Sequence, residues 1–326
     1  MEVLAQGTGE FKPPDPEGHR AYIQQHKSRA LVSKVMTEQE AIGRFVSDGD
    51  YLSYDCNMLL RGPASLVREL IRQRKKDLWV GGKFTYVIVS LLAAAGCVSR
   101  VDVGFIGLGQ ALSRALDEGR IKMTEWSNTS ITMRHLAGAM GIPFIPARFL
   151  GGADTFHYSG AKTVTDPFTG KPVTLLPAIN PDVSLIHVHQ CDVYGNARIF
   201  GTSVAPVETA LSAKKLIIST EEIIDTEEIR RNPGRTTIPY YAVDAVVEAP
   251  FGAYPGNVPG LYRNDPDHVT EVMGAVRSSD PERLEEYMDK YIYSVSSHQE
   301  FLEKRVGLER LLWLKREEKI KEGYYI

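Results

Sequence analysis

Cysteine is scarce in this chain: Cys56, Cys97 and Cys191 are the full set, far apart and with no CxxC pair. An odd, sparse count argues for a reducing compartment and against a disulfide framework or a structural zinc site. Excess charge of either sign is missing too. A formal net charge of −3 over 326 residues gives no electrostatic reason to expect nucleic acid or an anionic membrane surface as a partner. The longest apolar run, roughly Tyr86 to Val98, falls short of the ~20 residues that a spanning helix needs. No basic-then-apolar signal pattern opens the chain, so the expected location is the cytoplasm. A P-loop, an HExxH zinc motif and a GxSxG elbow are all absent, and the stretch from Gly104 to Gly109 resembles GxGxxG only loosely.

What is present is an ordinary globular composition, with 43% hydrophobic and 24% charged residues and length enough to bury a sizeable core. The organising stretch is YLSYDCNMLLRGP, Tyr51 to Pro63. Large β-prone residues form a strand. Asp55, Cys56 and Asn57 then break the apolar run, and Pro63 opens a helix whose apolar face is Leu66, Val67, Leu70 and Ile71. Thr37 and Glu40 form a capping box ahead of another helix, Thr37 to Val46. The pattern then repeats. DLWVGG reads as a strand, Tyr86 to Ala95 as a helix, and Ser99 to Phe105 as a strand. A helix from Gln110, a short strand at Ile121 and a helix from Ser130 to Met140 follow, the last closed by Gly141. Alternating strands and helices predict an α/β fold with an open, mostly parallel sheet and helices on both faces.

Residues 147–181 change character and predict an inserted loop or hairpin. Strands return at Pro172 to Leu176, Val183 to His189, Leu216 to Thr220 and Ala242 to Val247. From Asp265 onward the spacing predicts a helical C-terminal layer, roughly Asp267–Val276, Pro281–Tyr293 and Gln299–Lys315. Residues 1–31, rich in proline and charge, form an arm that is either a disordered tail or a segment packed on a partner. Residues 32–326 make the main domain.

In such sheets ligands bind beyond the carboxyl ends of strands, so the chemistry-bearing loops are those after Tyr54, Gly82 and Glu125. Cys56 could be activated by a helix N-terminus, but no histidine lies near it in sequence, which favours lining a pocket over attack. Asp55 suits acid–base work or a turn. Gly81 and Gly82 fit a tight turn or close approach to a ligand. Ser127 and Asn128 suit a carbonyl contact, and equally a helix cap. His187 and His189 share one strand face and read as hydrogen-bonded core or interface residues. Glu221 and Glu222 read as surface or capping carboxylates.

A longer pattern narrows this further. STEEIIDTEEIRRNPGRTTIP, VDAVVEAPFGAYPG and GLY across residues 219–262 resemble, in that order, the α subunit of family I CoA-transferases of the glutaconate type. The likeness extends through SLIHVHQCDVYGNARIFG, GIPFIPARFLGG and SKVMTEQEAIGRFVSDGD, covering Val32 to the C-terminus. It implies an α subunit that needs a β subunit of the same fold. No cofactor is held permanently, and a coenzyme A thioester and a carboxylic acid are the substrates. A β-subunit glutamate is the nucleophile, so this chain carries no catalytic residue. The implied substrate-binding set is Asp55, Cys56, Asn57, Arg61, Gly81, Gly82, Gly107, Ser127 and Asn128. Two departures stand out. Asp55-Cys56-Asn57 replaces a Gly-Gly-aromatic loop. The segment after Gly82 is more similar to the α subunit of steroid ring-opening hydrolases, with Asn128 where those carry a glutamate. The alternative is therefore a subunit of a C–C cleaving hydrolase or decarboxylase acting on a cyclic or branched acyl-CoA.

Overall fold

A computed structural model describes residues 2–83, 87–105 and 110–319. The strands are, in chain order, β1 (Val3–Gln6), β2 (Tyr51–Tyr54), β3 (Leu78–Gly82), β4 (Val98–Val103), β5 (Lys122–Glu125), β6 (Phe144–Ala147), β7 (Lys162–Thr165), β8 (Pro172–Pro177), β9 (Val183–Cys191), β10 (Ala197–Arg198), β11 (Lys215–Ile223) and β12 (Ala245–Glu248). The main sheet has the order β12-β11-β9-β2-β3-β4-β5. Every neighbouring pair along it is parallel, and β10 adds to β9 antiparallel. The α/β architecture with a mostly parallel sheet is the one that the alternating pattern predicts. From β2, successive strands run outward one way as β3, β4 and β5. On the other side lie β9, β11 and β12. The order thus reverses between β2 and β9, and a crevice opens at the carboxyl ends of strands where an order reverses.

Period-two alternation gives the sheet two cores. Leu185, Ile217 and Val247 point into one cluster, and their neighbours Ile186, Ile218 and Val246 into another. Both faces are covered, which is why β9 reads as a nearly continuous apolar run. On one face lies the helix Glu38–Phe45, whose capping box forms as expected: Glu40 N–H donates to Thr37 Oγ1 and Thr37 N–H to the Glu40 carboxylate. Beside it is Ala64–Arg72, with Pro63 as its N-cap rather than its first turn. The helices Asn128–Met140 and Pro206–Leu211 lie on the other side. Gly141, at φ 70°, ends the former as its left-handed cap.

Residues 147–181 take the hairpin alternative: β7 and β8 pair antiparallel, in a sheet of order β1-β7-β8-β6. Two other expectations need revision. The arm is ordered by its own chain. It gives β1 to that sheet and a helix, Pro16–His26, capped by Asp15. Lys12 pairs with Asp182 at 2.5 Å, Glu10 with Lys122 at 2.8 Å and with Arg100, and Lys27 with Asp244. The last predicted helix is broken into pieces, His298–Phe301, a wider turn Leu302–Val306, and Leu308–Glu317. Gly307 at φ 84° and ψ 150° interrupts it. Among the described residues no helix is long and apolar enough to cross a membrane.

One buried ion pair ties the layers together. Asp102, in β4, accepts from Tyr51 Oη (2.9 Å), Trp79 Nε1 (2.9 Å) and Arg134 Nη1 (3.1 Å). Arg134 also donates to the Pro177 carbonyl at 2.9 Å and lies 3.8 Å from the Trp126 ring centre. Main sheet, covering helix and small sheet therefore meet at one charge-assisted centre.

Gly81 and Gly82 sit inside β3 rather than in a turn after it. A Cβ on Gly82 would stand 2.1 Å from Tyr54 Oη and 2.4 Å from its ring, and one on Gly81 would stand 2.4 Å from Tyr51 Oη. Their lack of a side chain makes room for the two tyrosines. Gly82→Ala is expected to destabilise the fold by about 1–3 kcal/mol, the usual cost of overpacking. Tyr54→Leu in the same chain should recover part of that loss. Urea denaturation of both variants measures this, and additive losses would refute the packing explanation.

Candidate functional site

The carboxyl ends of β2, β3 and β9 converge at the reversal point. Asp55 follows β2 directly, its N–H donating to Leu185 of β9 at 3.3 Å. Its carboxylate, 1% exposed, is held between two cations that are also buried. Arg61 Nη2 lies 3.3 Å from Oδ2, and Lys83 Nζ, just past β3, lies 3.6 Å from Oδ1. Ala205 N–H donates to the same Oδ1 at 3.3 Å. Arg61 also reaches the His187 and Thr202 carbonyls at 3.4 Å, while its Nε has no partner among the described residues. It sits at φ 50°, in a turn closed by Asn57 N–H to Leu60 carbonyl (3.2 Å) and the reverse bond (2.9 Å).

Lys83 is the residue that sequence reasoning missed. It donates to Thr209 Oγ1 at 2.9 Å. Burial lowers its pKa and Asp55 opposes that shift. Its one signal in the sequence is its place directly after Gly-Gly at a strand's carboxyl end, where loops of such sheets meet ligands. His135 belongs to the same layer. It bridges Ser53 Oγ (3.0 Å) and Ser212 Oγ (2.8 Å), and burial, with Lys83 and Arg134 nearby, pushes its pKa well down.

Cys56 Sγ contacts the Met58 carbonyl at 3.2 Å. Burial first, and the Asp55 carboxylate second, push its thiol up to about 12. The geometry therefore leaves a protonated wall, not a nucleophile. Ser127 caps the helix Asn128–Met140, accepting from Ser130 N–H at 3.0 Å. Asn128 opens that helix with its backbone against Gly104, where a Cβ would stand 2.4 Å from Asn128 N. Ser127 and Asn128 thus sit beyond β5 and β4, along the same sheet edge as Asp55. Gly107 lies outside the described residues.

Glu221 is not a surface carboxylate. Its side chain, 7% exposed, accepts from Tyr262 Oη at 2.5 Å, His187 Nε2 at 2.7 Å and Phe251 N–H at 2.7 Å. His187 Nδ1 meets Ser219 Oγ at 2.8 Å. His189 bonds to the Pro259 carbonyl (3.1 Å) and the Phe200 N–H (3.2 Å). Both histidines are hydrogen-bonded inside the fold, as their strand spacing suggests. Glu222 stays at the surface, paired with Gln190 at 2.8 Å. Among the described residues no group of three or more His, Cys, Asp or Glu could hold a metal ion.

Two outcomes follow from these environments. At pH 8 a thiol near 12 is about one part in ten thousand thiolate, so native Cys56 should resist iodoacetamide for hours and react only after unfolding. Labelling within minutes would overturn the buried-wall assignment. Burial also lowers His189 and His268 to about 4 and puts His298 well below its usual value. Unfolded histidines take up protons near pH 6.5, which the folded ones refuse until about pH 4. Stability is thus expected to fall as pH drops from 6.5 toward 4. Denaturation midpoints at pH 7.5, 6.0 and 4.5 check this, and His189→Gln should flatten part of the slope.

Residues 35–249 match the Coenzyme A transferase family. An uncharacterized protein of Archaeoglobus fulgidus is 43% identical over 99% of this chain and 73% of its own length. The A-type subunit of the glutaconate CoA-transferase of Acidaminococcus fermentans is 31% identical over 87% of this chain and 95% of its own. The crystal structure of that enzyme superposes with a TM-score of 0.83, at 29% identity, over 90% of this chain and 98% of the other. A structure of the decarboxylase AibA/AibB superposes with a TM-score of 0.68 at 30% identity, over 79% of this chain and 100% of the other. The chain belongs to the coenzyme A transferase family, as an α-type subunit.

Proposed function

We propose that this chain is the α subunit of a heteromeric CoA-transferase that moves CoA between an acyl-CoA and a carboxylic acid. A β subunit of the same fold supplies the glutamate nucleophile. Residues 32–326 are the transferase unit and residues 1–31 an arm. The observation that carries this reading is the state of the polar groups at the sheet's carboxyl edge. Asp55 is held by Arg61, Lys83 and a backbone N–H, and Glu221 by Tyr262, His187 and a backbone N–H. Carboxylates so engaged are poor nucleophiles, and the Cys56 thiol is kept protonated by burial. The same edge is rich in what an acyl group needs: buried positive charge and the N-terminal amides of the helix Asn128–Met140.

In this scheme the partner's carboxylate attacks the thioester carbon and CoA leaves as thiolate, giving an acyl anhydride. The thiolate then attacks the glutamyl carbonyl, forming a glutamyl-CoA thioester and freeing the first acid. The acceptor acid runs these steps in reverse. Each attack places an oxyanion on a carbonyl oxygen, which a positive, desolvated edge stabilises. Cytoplasmic location belongs to the same reading.

The superposition on a decarboxylase favours one second reading, cleavage of a C–C bond in a branched or cyclic acyl-CoA. Co-expression with the same-fold partner, followed by mass spectrometry of products from a panel of acyl-CoA and acid pairs, separates the two. Transfer conserves the acyl skeleton; decarboxylation or ring opening changes its mass. Exchange is expected from the complex, and substituting the partner's glutamate with glutamine should abolish it. Exchange by the purified single chain at full rate would refute the division of labour.

A further inference from the structure

The arm helix Pro16–His26 closes a cavity that the transfer reaction does not use. It spans about 450 Å³, within the size range of small-ligand sites. The body's side of it is made by the C-terminal ends of the helices Asn128–Met140 and Pro206–Leu211 and by the turn at Tyr240–Ala242. The helix Asn128–Met140 starts at the carboxyl edge of the sheet and runs back to the opposite edge. The cavity therefore lies at the far end of the domain from Asp55 and Lys83.

Two features of its lining point to a ligand. First, large apolar side chains stay uncovered in a concave place: Met140 is 63% exposed and Tyr241 49%, alongside Ile23 and Leu211. Second, Arg20 and Arg29 are exposed, and among the described residues neither guanidinium has an ion pair or hydrogen bond. Lys27, in contrast, is neutralised by Asp244 and bonded to the Ala242 carbonyl at 2.7 Å. Glu17 is the one acid among the described lining residues.

The ends of the two helices decide what kind of anion fits. Helix C-termini carry partial negative charge, so a bare inorganic anion gains little against this wall. A molecule with an apolar body against Ile23, Met140, Leu211 and Tyr241, and an anionic head at the mouth beside Arg20 and Arg29, avoids that repulsion. We propose that this cavity binds a carboxylate carrying an apolar chain, at a site separate from the strand-end centre.

The test is titration of the full chain, in complex with its partner subunit where one is present, with decanoate by isothermal calorimetry below its micelle concentration. Saturable binding with one site per chain is expected, with a rise in melting temperature at saturation. Arg20→Ala with Arg29→Ala, both at exposed positions, should weaken binding at least tenfold. Ile23→Glu should abolish it. Inorganic phosphate should not compete, and butanoate should bind far more weakly. Lys83→Met, at the other end of the domain, should leave decanoate affinity unchanged. The proposal is overturned if decanoate does not saturate. It is also overturned if the arginine double variant binds as well as the parent chain, or if Lys83→Met is the variant that loses binding. Circular dichroism of each variant confirms that a loss is not unfolding.

Discussion

The Asp55 carboxylate is the constraint on which the strand-end centre depends. It follows β2, and its partners come from a turn six residues on, from the end of β3, and from the segment before the helix Pro206–Leu211. A buried carboxylate without partners is expensive, and so is a buried guanidinium or ammonium without one. Removing one member of such a group typically costs about 3–5 kcal/mol, because the others are left charged in a dry place. The three charges therefore hold one another, and with them the ends of adjacent strands. The cluster has one more cation than anion, with Glu208 the next carboxylate acting on Lys83. That leaves the centre a field suited to developing negative charge.

Two further buried carboxylates follow the same logic. Asp102 gathers Tyr51, Trp79 and Arg134, and so binds the main sheet to the helix Asn128–Met140. Glu221 gathers His187, Tyr262 and the Phe251 N–H, and so binds β9 and β11 to the segment leading into the C-terminal layer. All three are satisfied from several directions, which fixes their side chains instead of leaving them free to react. The chain spends its acids on architecture. This is compatible with the proposed division of labour, in which the attacking group comes from a partner subunit.

How much of this the sequence disclosed depends on the range of the interaction. The capping box at Thr37 and Glu40 is a three-residue affair, so it can be read directly. The succession of strand and helix patterns is equally local, and it predicts the parallel sheet. Gly81 and Gly82 look like a turn because their reason lies in the rings of Tyr51 and Tyr54, on the next strand. Glu221 looks like surface because its partners, His187 and Tyr262, are 34 and 41 residues away. Lys83 is easily passed over because its counter-charge, Asp55, belongs to another strand end. The arm cannot be read at all: a proline-rich stretch looks disordered unless its docking surface is known, and that surface includes residues 100, 122, 124, 157–165, 182 and 244.

The pairing of β1 with β7 bears on how the molecule is made. Val3 lies opposite Val164, and Gln6 opposite Lys162, so the two strands of this pair stand roughly 160 positions apart in the chain. Closing such a loop carries a large entropy cost before any contact offsets it. A segment with such distant mates is expected to stay solvated and unpaired until β7 is in place. Its many prolines and charges suit that delay, because they give a stranded segment little to aggregate with. The β1–β7 pair is thus expected among the later contacts to form.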